Sequence, residues 1–188
     1  MKRALASLFI ASVIAVPAVA AETYDIDKSH SFLLFRVKHL AVSYAHGRFN
    51  DFSGTFVVDD ADPKKSTVEI EVKTESVDTG DAKRDQHLRS PDFFNAKQFR
   101  TMTFKSTSVK PAGGDKYEVT GDLALKGVTK PITVTLERVG SGKDPWGGYR
   151  TGFEGRFTLK RSDFGVDYMP DLLGDEIVVT VAIEGVRK

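Results

Sequence analysis

Apolar and polar side chains alternate with a period of two along most of this chain, the spacing of strands with one face in a core and the other in water. The clearest stretch is Val68 to Glu75, where Val68, Ile70 and Val72 share a face and the opposite face is charged. Tyr117, Val119, Leu123 and Leu125 face away from Glu118, Thr120 and Asp122, and Ile132, Val134 and Leu136 face away from Thr133, Thr135 and Glu137. Between them, Lys126 to Pro131 reads as a hairpin loop. Ile177, Val179, Val181 and Ile183 form a further face, and Ser31 to His39 sets Leu33, Phe35 and Val37 against Phe32, Leu34, Arg36 and Lys38. Gly47 to Asp59, Thr101 to Val109 and Tyr149 to Leu159 are less regular strands, with a bulge or bend expected at Gly54. Adding Tyr24 to Asp27 predicts about eight or nine strands.

Strands so closely spaced, without intervening helices, indicate an all-β sandwich or an up-and-down antiparallel barrel. The long strands from Gly47 and from Tyr149, relaxed by glycine, favour a tilted, closed sheet. Phenylalanine is abundant, with 13 in the chain, most of them on the inferred inner faces. Such rings can fill a solid core or line an apolar cavity, and a barrel of about eight strands is the size at which one small ligand fits inside.

The pattern is interrupted once. Ser76 to Thr79 and Arg84 to Phe94 are polar, and the spacing predicts a short helix over Thr79 to Ser90, capped by Thr79 and ended by Pro91. Its apolar side chains are Ala82 and Leu88, so it has little to bury. Asp92-Phe93-Phe94-Asn95 differs, because two adjacent phenylalanines in a turn must find cover. Plugging one barrel end would provide it.

The first 20 residues change the expected compartment. Met1-Lys2-Arg3, the apolar run Ala4 to Val16 and the small residues Ala18-Val19-Ala20 read as a secretory signal peptide, 1–20, followed by one domain, 21–188. Its removal from the 188 residues leaves 168, enough for one well-buried domain. No later stretch is long and apolar enough for a transmembrane helix. With no cysteine in the chain, neither a lipid-anchored cysteine nor a disulfide framework is expected. Losing Lys2 and Arg3 takes 27 basic residues to 25 against 26 acidic, a net charge of −1, which argues against a nucleic-acid partner.

Several stretches then resemble the YceI family of bacterial exported proteins over nearly the whole mature length. They are Asp27-Lys28-Ser29-His30-Ser31, Phe35 to Leu40, Gly47 to Gly54, Ser76 to Thr79, Arg84 to Phe94, Gly121 to Pro131, Asp144 to Arg150, and Asp163-Phe164-Gly165-Val166. The resemblance implies an eight-stranded antiparallel lipocalin-like barrel with a short helical insert at one end, whose lumen takes a long isoprenoid or other alkyl chain. It also implies roles in lipid or quinone-precursor handling and in stress. Under that implication the apolar faces become lumen walls, and Leu33, Phe35, Val37, Phe49, Phe56, Ile70, Val72, Phe104, Leu123, Val134, Phe153 and Phe157 are the candidate ligand contacts. Phe93 and Phe94 would plug the end. His39, Arg84 and His87 are candidate contacts to a polar head group, and Trp146 is a candidate lip; a structural role competes for each. Arg161 and Asp163 read as an ion pair or turn.

Catalytic chemistry finds less support. His30, His39, His46 and His87 lack the paired spacing of zinc ligands, and there is no Gly-x-Ser-x-Gly elbow or phosphate loop, so no metal, cofactor or catalytic residue is assigned. Two classes of function remain: an exported carrier or buffer of a hydrophobic chain, with antibiotic scavenging as a variant, and a lipid-acting hydrolase or isomerase using His39 or His87 with an aspartate. Phe32, Leu34 and Val178 leave apolar surface outside, room for a homodimer.

Overall fold

Eleven strands and one short α-helix account for most of residues 21–188, the residues that the computed structural model describes. The expected signal segment, 1–20, lies outside them. β1 (Glu22–Ile26) and β2 (Phe32–His39) are halves of one bent strand, since both pair with β11 (Leu173–Arg187), Tyr24 opposite Arg187 and Phe35 opposite Val179. β3 (Ser43–Phe49) and β4 (Phe52–Val58) form a second, pairing with β2 and β1. β5 (Thr67–Lys73) and the two-residue β6 (Val77–Asp78) form a third. β7 (Thr101–Pro111), β8 (Lys116–Leu125), β9 (Val128–Lys143) and β10 (Tyr149–Lys160) carry the sheet round to β11, which meets β1 again. The result is a closed eight-stranded antiparallel barrel, with α1 (Ala82–Leu88) across one end.

The breaks decide which side chains point inward. Gly47 to Asp59 is not one strand: Asn50 and Asp51 interrupt it, so Phe49 and Phe52, three apart, both reach the interior. Gly54 is not a bulge, because β4 and β5 stay in unbroken register from Phe52 to Val57. Its bare Cα lets the Glu69 carbonyl approach to 2.2 Å of where a Cβ would stand. Register shifts occur instead between Gly152 and Phe153, Ser106 and Ser108, and Leu173 and Ile177. The β8–β9 loop shrinks to Lys126 and Gly127, both at positive φ, and Pro131 lies within β9 opposite Asp122.

At the end opposite α1, aromatic rings make a floor. Tyr24 stacks on Phe56 at 5.1 Å, and Phe56 meets Phe153 edge-on at 5.8 Å. Gly185 permits this, since a Cβ there would sit 2.3 Å from Phe56 Cζ.

The kink between β1 and β2 is held by charge. Asp27 caps the turn Lys28–His30, accepting from the Ser29 amide at 3.0 Å and from its hydroxyl, while Arg150 Nη1 donates to Asp27 at 2.7 Å and to Glu184 at 2.5 Å. The hydrogen bond from the Ser29 hydroxyl, then those from Arg150 and His30, hold the Asp27 carboxyl well below the usual carboxylate range. A carboxyl depressed in the folded state stabilises fully above its unfolded pKa, about 3.9, and that stabilisation is lost as pH falls towards the folded value. Asp27→Asn is therefore expected to lower stability at neutral pH and flatten its decline below about pH 4. Urea melts across pH check this, and parallel acid limbs for the two proteins would refute it.

Candidate functional site

The inward faces enclose a cavity of about 770 Å³ that runs from α1 to the floor, with walls from nearly every strand. Alternation explains the walls: Val37, Phe35 and Leu33 descend β2, opposite Ile177, Val179 and Val181 on β11. Phe157 and Phe153 on β10 lie opposite Val179 and Ile183. Phe49, Phe56, Ile70, Val72, Phe104, Leu123 and Val134 complete the set expected from alternation, and all border the cavity. The Phe35 ring lies over the bare Cα of Gly47, where a Cβ would stand 2.3 Å from its Cζ. Beside α1 the bordering residues His39, Ser43 and Tyr44 are exposed, which opens the cavity at the lid end.

The lid is tied down by its polar residues. Asp81, rather than Thr79, caps α1: its carboxylate accepts from the Lys83 amide at 3.0 Å and the Arg84 amide at 2.9 Å. The Thr79 hydroxyl donates instead to buried Asp85 at 2.6 Å, which also accepts from the Thr79 amide at 2.8 Å. Arg84 returns Nε to the Thr79 hydroxyl and Nη2 to its carbonyl, at 2.8 and 2.9 Å. Arg89 binds the carbonyls of Glu75 and Val77 at 2.7 and 2.9 Å. The helix ends at Leu88, before Pro91.

Phe93 and Phe94 both border the cavity. Phe93 is 6 % exposed and meets His87 edge-on at 5.0 Å and Tyr168 at 5.4 Å, while Phe94 meets Phe49 at 5.6 Å. His87 Nε2 lies 2.8 Å from Asp92. The pair has the reach that acid–base chemistry needs, yet His87 borders the cavity and Asp92 does not. The His39 side chain, at the opening, makes no hydrogen bond among the described residues, while its carbonyl accepts from the Val42 amide at 3.0 Å.

Trp146 stands apart. Asp144 accepts from the amides of Trp146 and Gly148, closing a turn outside the floor end and leaving the indole 82 % exposed beneath the Arg150 guanidinium. It lines no part of the cavity. Asp27, His30 and Glu184 gather closely enough to share a cation, but Arg150 already lies between both carboxylates.

Two arginines that border the cavity have roles alternation did not assign. Arg161 and Asp163 share the turn Arg161–Phe164, but they form no ion pair: Asp163 binds Lys130 at 2.9 Å. Arg161 is 5 % exposed, and its guanidinium donates to the carbonyls of Val166, Tyr168, Gly174 and Leu173 at 2.8, 2.8, 3.0 and 3.1 Å. It thereby shapes the loop beside the lid. Arg138, two residues beyond Leu136 and so on the same face of β9, lies at the floor.

A family model described as the YceI-like domain matches residues 24–185. A UPF0312 protein of Pseudomonas aeruginosa is 47 % identical over 192 residues, covering 100 % of both chains. The crystal structure of Burkholderia cenocepacia BcnA superposes with a TM-score of 0.78 at 27 % identity, over 85 % of this chain and 98 % of that one. A polyisoprenoid binding domain from Saccharophagus degradans, implicated in plant cell wall breakdown, shares the fold, with a TM-score of 0.67 at 18 % identity over 88 % of this chain and 98 % of that one.

Proposed function

Because the chain belongs to the YceI-like domain family, we propose that it is an exported binding protein that holds one long hydrophobic ligand, of isoprenoid, quinone-like or fatty type, as a carrier or buffer. The observation that carries this reading is the apolar cavity of about 770 Å³ behind an aromatic lid. Burial drives binding there, at about 0.8 kcal/mol per methylene, so chain length and girth select the ligand more than polar contacts do. The polyisoprenoid binding of the Saccharophagus domain makes a branched isoprenoid a first choice for testing. The signal-like pattern of residues 1–20 supports export to the periplasm.

Binding rather than turnover fits the lid pair, since Asp92 does not border the lumen that His87 borders. A lipid hydrolase or isomerase would instead show turnover that His87→Ala abolishes.

Organic extraction of purified protein, read by mass spectrometry, is expected to recover an apolar molecule. Val179 lies opposite Phe35 and Phe157, and Val179→Trp is expected to fill the lumen and lower that yield about tenfold or more with the barrel intact by circular dichroism. An unmodified protein that yields no ligand and takes up none from a lipid mixture would end this reading.

A further inference from the structure

The floor of the lumen carries a cation whose hydrogen-bonding capacity is only partly spent. Arg138 borders the cavity, its side chain 16 % exposed, between the rings of Tyr117 and Phe153 at 5.6 and 5.4 Å. Its Nη2 binds Asp60 in the β4–β5 loop at 2.7 Å. Its Nε is buried with no hydrogen-bond partner, and Nη1 makes no hydrogen bond among the described residues. The other arginines on the cavity differ. Arg161 spends its guanidinium on four carbonyls, and Arg84 gives Nε and Nη2 to Thr79.

Nε, wedged between the rings, has no surface open even to water, so the donor that an oxygen brought by a ligand could meet is Nη1, which no protein group satisfies. The charge beside it narrows the chemistry. With Asp60 at 2.7 Å the pair is close to neutral, so an incoming carboxylate would gain little from Arg138 and be repelled by Asp60. A neutral oxygen meets no such repulsion. Aromatic rings flank the guanidinium on two sides, and in such partly apolar surroundings one hydrogen bond discriminates well.

We propose that Arg138 forms a polar subsite at the lumen floor that selects chains whose inner end bears a neutral carbonyl-type oxygen, as in a ketone, ester or quinone. The inference rests on the lumen reading above and adds an orientation: the oxygen goes to the floor and the hydrocarbon extends towards Phe93 and the lid.

The test uses two probes matched in length, 2-octadecanone and octadecane, each displacing the neutral fluorophore N-phenyl-1-naphthylamine from delipidated protein. The ketone is expected to compete about tenfold better than the alkane, and Arg138→Met is expected to bring that ratio near one. Reading the ratio cancels any change common to both probes. Asp60→Asn, which keeps the arginine but frees its charge, is expected to raise octadecanoate relative to the ketone. A ketone-to-alkane ratio near one in the unmodified protein overturns the subsite while leaving the lumen reading intact. So does a ratio that survives Arg138→Met, or, should that variant not fold, an octadecanoate preference unmoved by Asp60→Asn. Failure of all three compounds to enter overturns the lumen reading and the subsite with it.

Discussion

Arg161→Met is expected to destabilise the protein by about 4 kcal/mol and to lower its Tm by roughly 10 °C. The side chain is of similar length and apolar, so the loss comes chiefly from hydrogen bonds. Four carbonyls, those of Val166, Tyr168, Leu173 and Gly174, lose a charged donor in a site almost closed to water. Arg161→Lys should recover only part of the loss, because an ammonium is a point donor and cannot span carbonyls that a planar guanidinium reaches together. The loop it organises carries Tyr168, which packs on Phe93 and His87, so the damage should spread to the lid. Thermal melts and limited proteolysis read the two effects. A variant melting with the parent and no more readily cut within 165–172 would show that the four hydrogen bonds contribute nothing.

Phe93→Ala is expected to act on ligand exchange as much as on stability. Removing a ring that is 6 % exposed costs about 3 kcal/mol, including edge-on aromatic contacts worth about 1 kcal/mol each. More of the consequence lies at the opening, where Phe93 covers the end of the cavity and His87 and Tyr168 hold it in place. A bound fluorophore should leave the variant several-fold faster, and Phe93→Leu should restore much of the retention because it refills the gap. Phe94→Ala provides the contrast: its ring packs on Phe49 in the wall, so it should weaken affinity more than it speeds release. Equal release rates from parent and Phe93→Ala would mean that this ring is not the plug.

Much of the wall is legible in the sequence. From Leu33 to Phe157, each inward residue expected from alternation borders the cavity, because the period of two belongs to the strand itself and holds whatever the partner. Continuing the same parity along β9 by two residues reaches Arg138, so that signal was present but hidden by a change of residue type. The cap of α1 was ambiguous for a different reason. Thr79 and Asp81 are both good capping residues, and the choice turns on Asp85, which engages the Thr79 hydroxyl and leaves Asp81 to receive the helix amides. For Trp146 the sequence offered a lip or a turn capped by packed tryptophan, and the indole is neither on the cavity nor packed, being 82 % exposed. The tight turn closed by Asp144 directs it outward.

By itself, the pattern along the chain determined an all-β class, the faces of the strands and the place where the β pattern is broken, all of which follow from local periodicity and local breakers. Only the tertiary structure decided that the interior is a cavity rather than a filled core, since that depends on the bends at Asp27 and Asn50 and on how closely opposite walls approach. It also decided the parts played by arginine. Arg161 finds carbonyls five to thirteen residues away and Arg138 finds a carboxylate 78 residues away. Such partners meet because the sheet closes, and no periodicity along the chain encodes that closure.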